Sequence, residues 1–190
     1  SEEEVFELID KVEKKIRKRV GNYIYGIDDR GLEGIVGEML AEKNLTLSLA
    51  ESCTGGLVAN RITDIPGSSQ YFMGGMMVYS NQAKIEQLNV QKETLKKYGA
   101  VSDNTAKEMA ENIRKKMNTD IGVSLTGIAG PGGGTDEKPV GLVYIGLATT
   151  ENTKVYRLDL HGNRKMNKWM SSQYALFYIY NYILTKKDFS

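Results

Sequence analysis

The chain has 190 residues with 25 Lys plus Arg against 24 Asp plus Glu, which predicts one principal domain with room for a small appendage. So even a balance gives no field to hold a nucleic acid or an acidic membrane surface, and one cysteine with one histidine excludes an internal disulfide and an ordinary structural zinc site. The N-terminus is acidic and no uncharged apolar run reaches about 18 residues, so a cytoplasmic protein without membrane contact is expected.

In chain order, residues 4–19 set Val5, Leu8, Ile9, Val12 and Ile16 on one stripe at helical spacing, which predicts an amphipathic helix. A short extended piece follows over 20–30, where Asp28 and Asp29 offer an N-cap for a helix near 30–43. A strand over 45–50 runs into the small residues Ser52, Cys53, Thr54, Gly55 and Gly56, and these lead into a helical LVANRI. The segment 65–69 reads as a turn, 72–79 as a buried strand, and 81 onward as a helix that Asn81 could cap. Ser102 and Asp103 open a helix to 117 with Ala106, Met109, Ala110 and Ile113 on its inner face; 121–126 is a buried strand. The glycine-rich stretch 127–139 can only be a loop; 140–148 and 153–159 read as strands and 164–185 as a closing helix. The order βαβαβββα implies an α/β fold, a three-layer α/β/α sandwich on a mixed sheet, preceded by a short helical and extended segment.

Chemistry concentrates in a few segments. AESCTGG places hydroxyls and a thiol at a strand-to-helix turn, where the amides of Cys53, Thr54 and Gly55 could stabilise an oxyanion. The competing reading is a plain helix cap, the commoner fate of such hydroxyls. Cys53 ranks below Ser52 as a nucleophile, because the sole histidine, His161, is distant in sequence and a lone cysteine is more often a small buried hydrophobe. VYSNQAK puts Tyr79 at a strand end and Lys84 in the first turns of the next helix; a desolvated lysine can serve as the base a serine needs, although most helix lysines are solvated. Tyr79 is either a core aromatic with its hydroxyl at the rim or a donor that orients serine and lysine. In SLTGIAGPGGG, the glycines 127, 130, 132 and 133 could let amides converge on an anion, with Thr126 donating to a ligand, yet neither a Walker nor a dinucleotide fingerprint is present. A surface loop is the plainer alternative. Arg164 is a candidate fixed cation, though a surface arginine is commoner, and His161 reads as structural.

AESCTGG, PGSSQYFMGG, VYSNQAK, YGAVS, SLTGIAGPGGGTDEKPVG and GNR follow one another in unbroken order over about residues 31–185, and together they closely resemble the CinA C-terminal domain family. The resemblance implies a nicotinamide mononucleotide deamidase of pyridine nucleotide recycling, which turns the carboxamide into a carboxylate and releases ammonia with no metal or cofactor. It further implies Ser52 as nucleophile, Lys84 and Tyr79 as activating partners, Arg164 as phosphate anchor, and a substrate-contacting set of Cys53, Thr54, Gly55, Asn81, Thr126, Gly127, Gly130, Gly132, Gly133 and Arg164. The family commonly reads Gly-Asp-Arg with another Arg four positions on; here those places hold Asn163 and Lys168. Residues 1–30 look like the tail of a preceding domain or a linker, with the family domain at 31–190. A longer protein is therefore expected, carrying an N-terminal metal-dependent ADP-ribose pyrophosphatase. The apolar and aromatic stretch from Tyr174 to Tyr182 leaves room for a homodimer contact. The rival reading is a non-catalytic nucleotide-binding or protein-docking module of a competence-related protein, and a third is an amidohydrolase acting on another carboxamide. Lost catalytic positions would mark the rival, and none is lost.

Overall fold

The computed structural model describes residues 2–26 and 29–185. Its first helix, α1 (Glu2–Val20), matches the amphipathic stripe, with acids in its first turn and bases in its last, as the helix dipole favours. Lys14 to Asp10 and Arg17 to Glu13 form i,i+4 pairs along it, yet none of its residues is buried. Helix α2 (Leu32–Glu42) has Gly31 at its N-cap with no side-chain cap. Asp29 lies too early to reach the first free amides of a helix that starts at Leu32, and Asp28 is outside the described residues.

Strands β1 (Leu47–Glu51), β2 (Phe72–Met77), β3 (Ile121–Gly127), β4 (Leu142–Ala148) and β5 (Thr153–Asp159) form one sheet in the order β2-β1-β3-β4-β5. The neighbours of β1 run parallel to it, while β3 with β4 and β4 with β5 are antiparallel; the sheet is mixed, as expected. Strand β2 is an edge strand with alternating burial, not a wholly buried one: Met73 and Met77 face solvent. Helix α3 (Leu57–Thr63) links β1 to β2, and α4 (Asn81–Leu88), α5 (Lys92–Tyr98) and α6 (Asp103–Met117) link β2 to β3. Helix α7 (Arg164–Thr185) closes the chain.

Helices α2, α3 and α7 cover one face of the sheet. Leu32, Val36, Leu40, Val58, Ile62, Leu176, Ile179 and Ile183 pack there on Leu47, Leu49, Val123, Leu125, Val143 and Ile145. On the other face, Met109 and Ile113 of α6 pack with Ala50, Val78, Leu88 and Val90. Both faces are thus apolar and buried, which gives the three layers their stability. Helix α6 lies close against the sheet where it has no side chain to offer: a Cβ on Gly122 would come within 2.4 Å of the Ala110 carbonyl, and one on Gly146 within 2.6 Å of the Ala106 carbonyl.

This topology decides where a site can form. The chain leaves β1 for β2 through α3 on one face and returns to β3 through α6 on the other. A crevice therefore opens outside the carboxyl ends of β1 and β3, the switch point at which ligands bind in open α/β sheets. Among the described residues no helix is long and apolar enough to cross a membrane.

Candidate active site

The carboxyl end of β1 delivers Ser52. Its amide bonds to the Leu125 carbonyl at 3.0 Å, which continues the β1–β3 pairing by one residue and fixes the serine at the mouth of the crevice. The turn then closes through Gly55 N–H to the Ser52 carbonyl at 3.1 Å, and Gly55 and Gly56 both adopt positive φ, conformations that suit glycine. From the next strand, Val78 N–H reaches the Glu51 carbonyl at 2.8 Å, which holds the start of α4 beside this turn. Ser80, not Asn81, caps α4, since its side chain accepts from the Ala83 amide. Asn81, one residue later, is already the first helical residue and is exposed.

Lys84, in the first turns of α4, is no solvated helix lysine. It is 1 % exposed, and its Nζ lies 3.0 Å from Ser52 Oγ, 2.8 Å from the Val78 carbonyl and 3.3 Å from the Tyr79 carbonyl. Burial pushes its ammonium down to about 8, because desolvation disfavours the charged form. When Lys84 is neutral, the two carbonyls take its two N–H bonds and the nitrogen lone pair is left for the serine hydroxyl. Ser52 itself is 7 % exposed. The neighbouring thiol has the opposite character: burial pushes Cys53 up to about 12, so at neutral pH it is a protonated, inert hydrophobe.

A cavity of about 230 Å³ opens over this pair, lined among others by Ser52, Cys53, Tyr79, Lys84, Thr126, Gly127, Gly130, Gly132, Gly133 and Arg164. Most of the residues singled out in the sequence therefore meet in one place. Thr54, Gly55 and Asn81 are not in the lining, and the Gly55 amide, already committed to the Ser52 carbonyl, is no oxyanion donor; Cys53 and Thr54 supply the remaining amides of the turn. Ala100, Val101, Ile128 and Ala129 complete the wall, and no polar pattern in the sequence marked them.

The family model for the CinA C-terminal domain matches residues 29–183. The chain belongs to that family. A competence-damage inducible protein of Halothermothrix orenii is 53 % identical over 176 residues, 92 % of this chain and 43 % of the relative. A CinA-like protein of Kosmotoga olearia is 52 % identical over 172 residues, 90 % of this chain and 42 % of the relative. The crystal structure of the competence/damage inducible protein CihA from Agrobacterium tumefaciens superposes with a TM-score of 0.76 at 34 % identity, covering 84 % of this chain and all of that one. The chain thus spans less than half the length of the curated relatives it matches.

Several expectations for this CinA domain change in detail. The Tyr79 side chain is 61 % exposed at the rim; its hydroxyl accepts from Arg164 at 3.3 Å, and the contact with Lys84 comes from its main-chain carbonyl. The Thr126 hydroxyl donates to the Ala100 carbonyl at 2.7 Å, so toward a ligand it can only accept. The glycines of the loop divide by cause: a Cβ on Gly127 would strike Val143 and one on Gly130 would strike Val140, whereas Gly132 has open space around it. Close packing on β4 for Gly127 and on Val140, just before it, for Gly130, more than an anion, accounts for the first two. Arg164 donates to the Gly130 carbonyl at 2.8 Å, which ties the loop to the start of α7. Asn163 accepts from the Met166 amide at 2.9 Å; it caps α7 as an aspartate would. Lys168 brings its ammonium beside Gly55. His161 is exposed and packs into no core.

Two residues that the sequence reading passed over carry much of this geometry. Buried Asn167 donates to the Ala129 carbonyl and accepts from the Gly162 amide, so it ties the glycine loop to the turn before α7. Glu51, directly before the serine, is 2 % exposed and accepts from the amides of Gly56, Val58 and Ala59. An acid ending a strand of otherwise buried residues was the signal available for it.

Proposed function

We propose that this domain is an amidohydrolase that converts nicotinamide mononucleotide to nicotinate mononucleotide and ammonia through a serine–lysine dyad. The observation that carries the reading is the 3.0 Å approach of a buried lysine nitrogen to a buried serine hydroxyl in a cavity floor. The choice of substrate rests on the family resemblance and on the cation Arg164 at the rim, suited to a phosphate.

The steps follow from the two side chains. Ser52 Oγ adds to the carboxamide carbon, which the electron-poor pyridinium ring makes easier to attack, and its proton passes to neutral Lys84. The carbonyl oxygen becomes an oxyanion facing the amide of Cys53 in the cavity wall, a donor worth about 3 kcal/mol in comparable sites. The C–N bond then breaks, Lys84 returns the proton to the leaving nitrogen, and ammonia departs from an acyl-enzyme. Water repeats the sequence: its proton goes to Lys84, its oxygen to the acyl carbon, and Ser52 Oγ leaves and is reprotonated, which frees the carboxylate.

Ammonia release from nicotinamide, its mononucleotide and its dinucleotide tests the reading. Turnover of the mononucleotide is expected, with loss of about 10³-fold or more in Ser52→Ala and in Lys84→Met while both variants stay folded. Undiminished turnover by Ser52→Ala would end the assignment.

A further inference from the structure

We propose that Glu51 is the positioning residue of the nucleophile turn: its carboxylate ties the end of β1 to the first turn of α3, which holds Ser52 against Lys84 and leaves the amide of Cys53, in the cavity wall, without a carbonyl partner. This rests on the reading of Ser52 as nucleophile. Oε2 accepts from Gly56 N–H at 3.1 Å and Val58 N–H at 3.2 Å, and Oε1 from Ala59 N–H at 2.8 Å. These are the amides of the N-cap residue Gly56 and of Val58 and Ala59 in the first turn of α3, and Gly56 supplies no side-chain cap. A serine or aspartate at that position would cap the helix locally. Only a side chain from the strand end can cap it and also close the turn around Ser52.

The chemistry of the carboxylate argues for such a role. An ionised acid taken out of water is costly unless its charge is met, and among the described residues Glu51 joins no ion pair. The positive end of a helix meets it instead. By taking those amides, Glu51 leaves Cys53 and Thr54 as the turn's donors; neither has a carbonyl acceptor among the described residues. The same residue reaches the base. Its own carbonyl accepts from Val78 N–H, and the Val78 carbonyl accepts from Lys84 Nζ, so one residue spans the nucleophile and the lysine that serves it.

Glu51→Gln keeps the volume and replaces one acceptor oxygen by an N–H₂ that confronts an amide. A fluorophosphonate probe, which Ser52 Oγ attacks at phosphorus with loss of fluoride, reads the reactivity of Ser52 in the folded protein independently of the natural substrate; kcat and KM are read with nicotinamide mononucleotide, and stability from urea unfolding. The expected result is a labelling rate and kcat about 10- to 100-fold down, short of the roughly 10²- to 10³-fold lost when an oxyanion donor is removed outright, with KM within about twofold. Glu51→Asp keeps the charge one methylene short and is expected to fall between; if the glutamine variant does not fold, the aspartate variant decides by the same readings. A lower urea midpoint with wild-type labelling and kcat per folded molecule overturns the proposal, because a merely structural carboxylate predicts that. Wild-type protein labelled at Ser52 but releasing no ammonia from the mononucleotide overturns the substrate and leaves Glu51 in its role. A wild type that the probe does not label overturns both.

Discussion

Lys84 shows how much one buried side chain can decide. Its amine has acceptors for two protons in the Val78 and Tyr79 carbonyls and a single remaining direction, toward Ser52, so the neutral form is oriented before any substrate arrives. Because burial lowers its ammonium to about 8, kcat/KM for the free enzyme is expected to rise through about pH 8 as the base form fills. A linked effect on stability has a definite sign. Unfolded lysine holds its proton up to about pH 10.4, so between about 8 and 10 the unfolded chain binds more protons than the native one and stability rises with pH. Below pH 8 both states are protonated and the native form bears the full cost of a buried charge. Urea unfolding of wild type and Lys84→Met should therefore diverge in favour of wild type from pH 8 to pH 10; parallel curves would show that Lys84 titrates as an ordinary lysine. The serine and lysine were legible in the motifs and the family resemblance implied their roles, but residue type alone left them as a helix cap and a solvated lysine, since both are common. Burial and the 3.0 Å contact bring the two side chains together, which residue type alone cannot show.

At the level of elements, periodicity found the long, strongly amphipathic segments and missed those held by context. Helix α5 has seven residues and buries none of them, so it leaves no apolar stripe to read. Strand β2 looked wholly buried from its apolar run, and only its place at the sheet edge explains the exposure of alternate residues. Helix α6 was legible from Ala106, Met109, Ala110 and Ile113, yet what lets it sit so near the sheet is the absence of side chains at Gly122 and Gly146 on the partner strands. The Ser124 hydroxyl uses that proximity to donate to the Ala106 carbonyl at 2.6 Å. Gly146→Ala would set a methyl against both the Ala106 carbonyl and Ser124 Oγ, atoms with little freedom to retreat. A loss of about 2 kcal/mol is expected, in the range of overpacked cores. Gly132→Ala, on a loop residue with open space around it, is the control and should change the urea midpoint little. Displacing α6 has a second consequence, because Ser102 and Thr105 at its start hold the Gly99 carbonyl, one residue from the Ala100 carbonyl that engages Thr126.

For the whole molecule, the alternation of strands and helices was enough to predict three layers on a mixed sheet, because both faces must be covered by apolar helices and few arrangements do so. The aromatic residues near the chain's end, which left room for a subunit contact, are largely used within the chain: Tyr174, Phe177, Tyr178, Tyr180 and Tyr182 pack against its own core, and Tyr178 stacks on Tyr156 with centroids 3.7 Å apart. The opposite holds for α1. Val5, Phe6, Leu8, Ile9, Val12 and Ile16 are all exposed and no residue of the helix is buried, so its apolar stripe contributes little burial energy to the fold. Beyond the helix, the Tyr23–Phe177 stack, with centroids 6.1 Å apart, links the segment to the domain. Deleting residues 2–20 should therefore leave the thermal midpoint within about 2 °C of the intact chain, since surface changes away from packed features usually cost less than about 0.5 kcal/mol, and turnover should be unchanged. Removal of an exposed apolar stripe should also lessen concentration-dependent association, read by light scattering across a dilution series. A midpoint several degrees lower would mean that α1 packs against the domain in solution and that its stripe is part of the core.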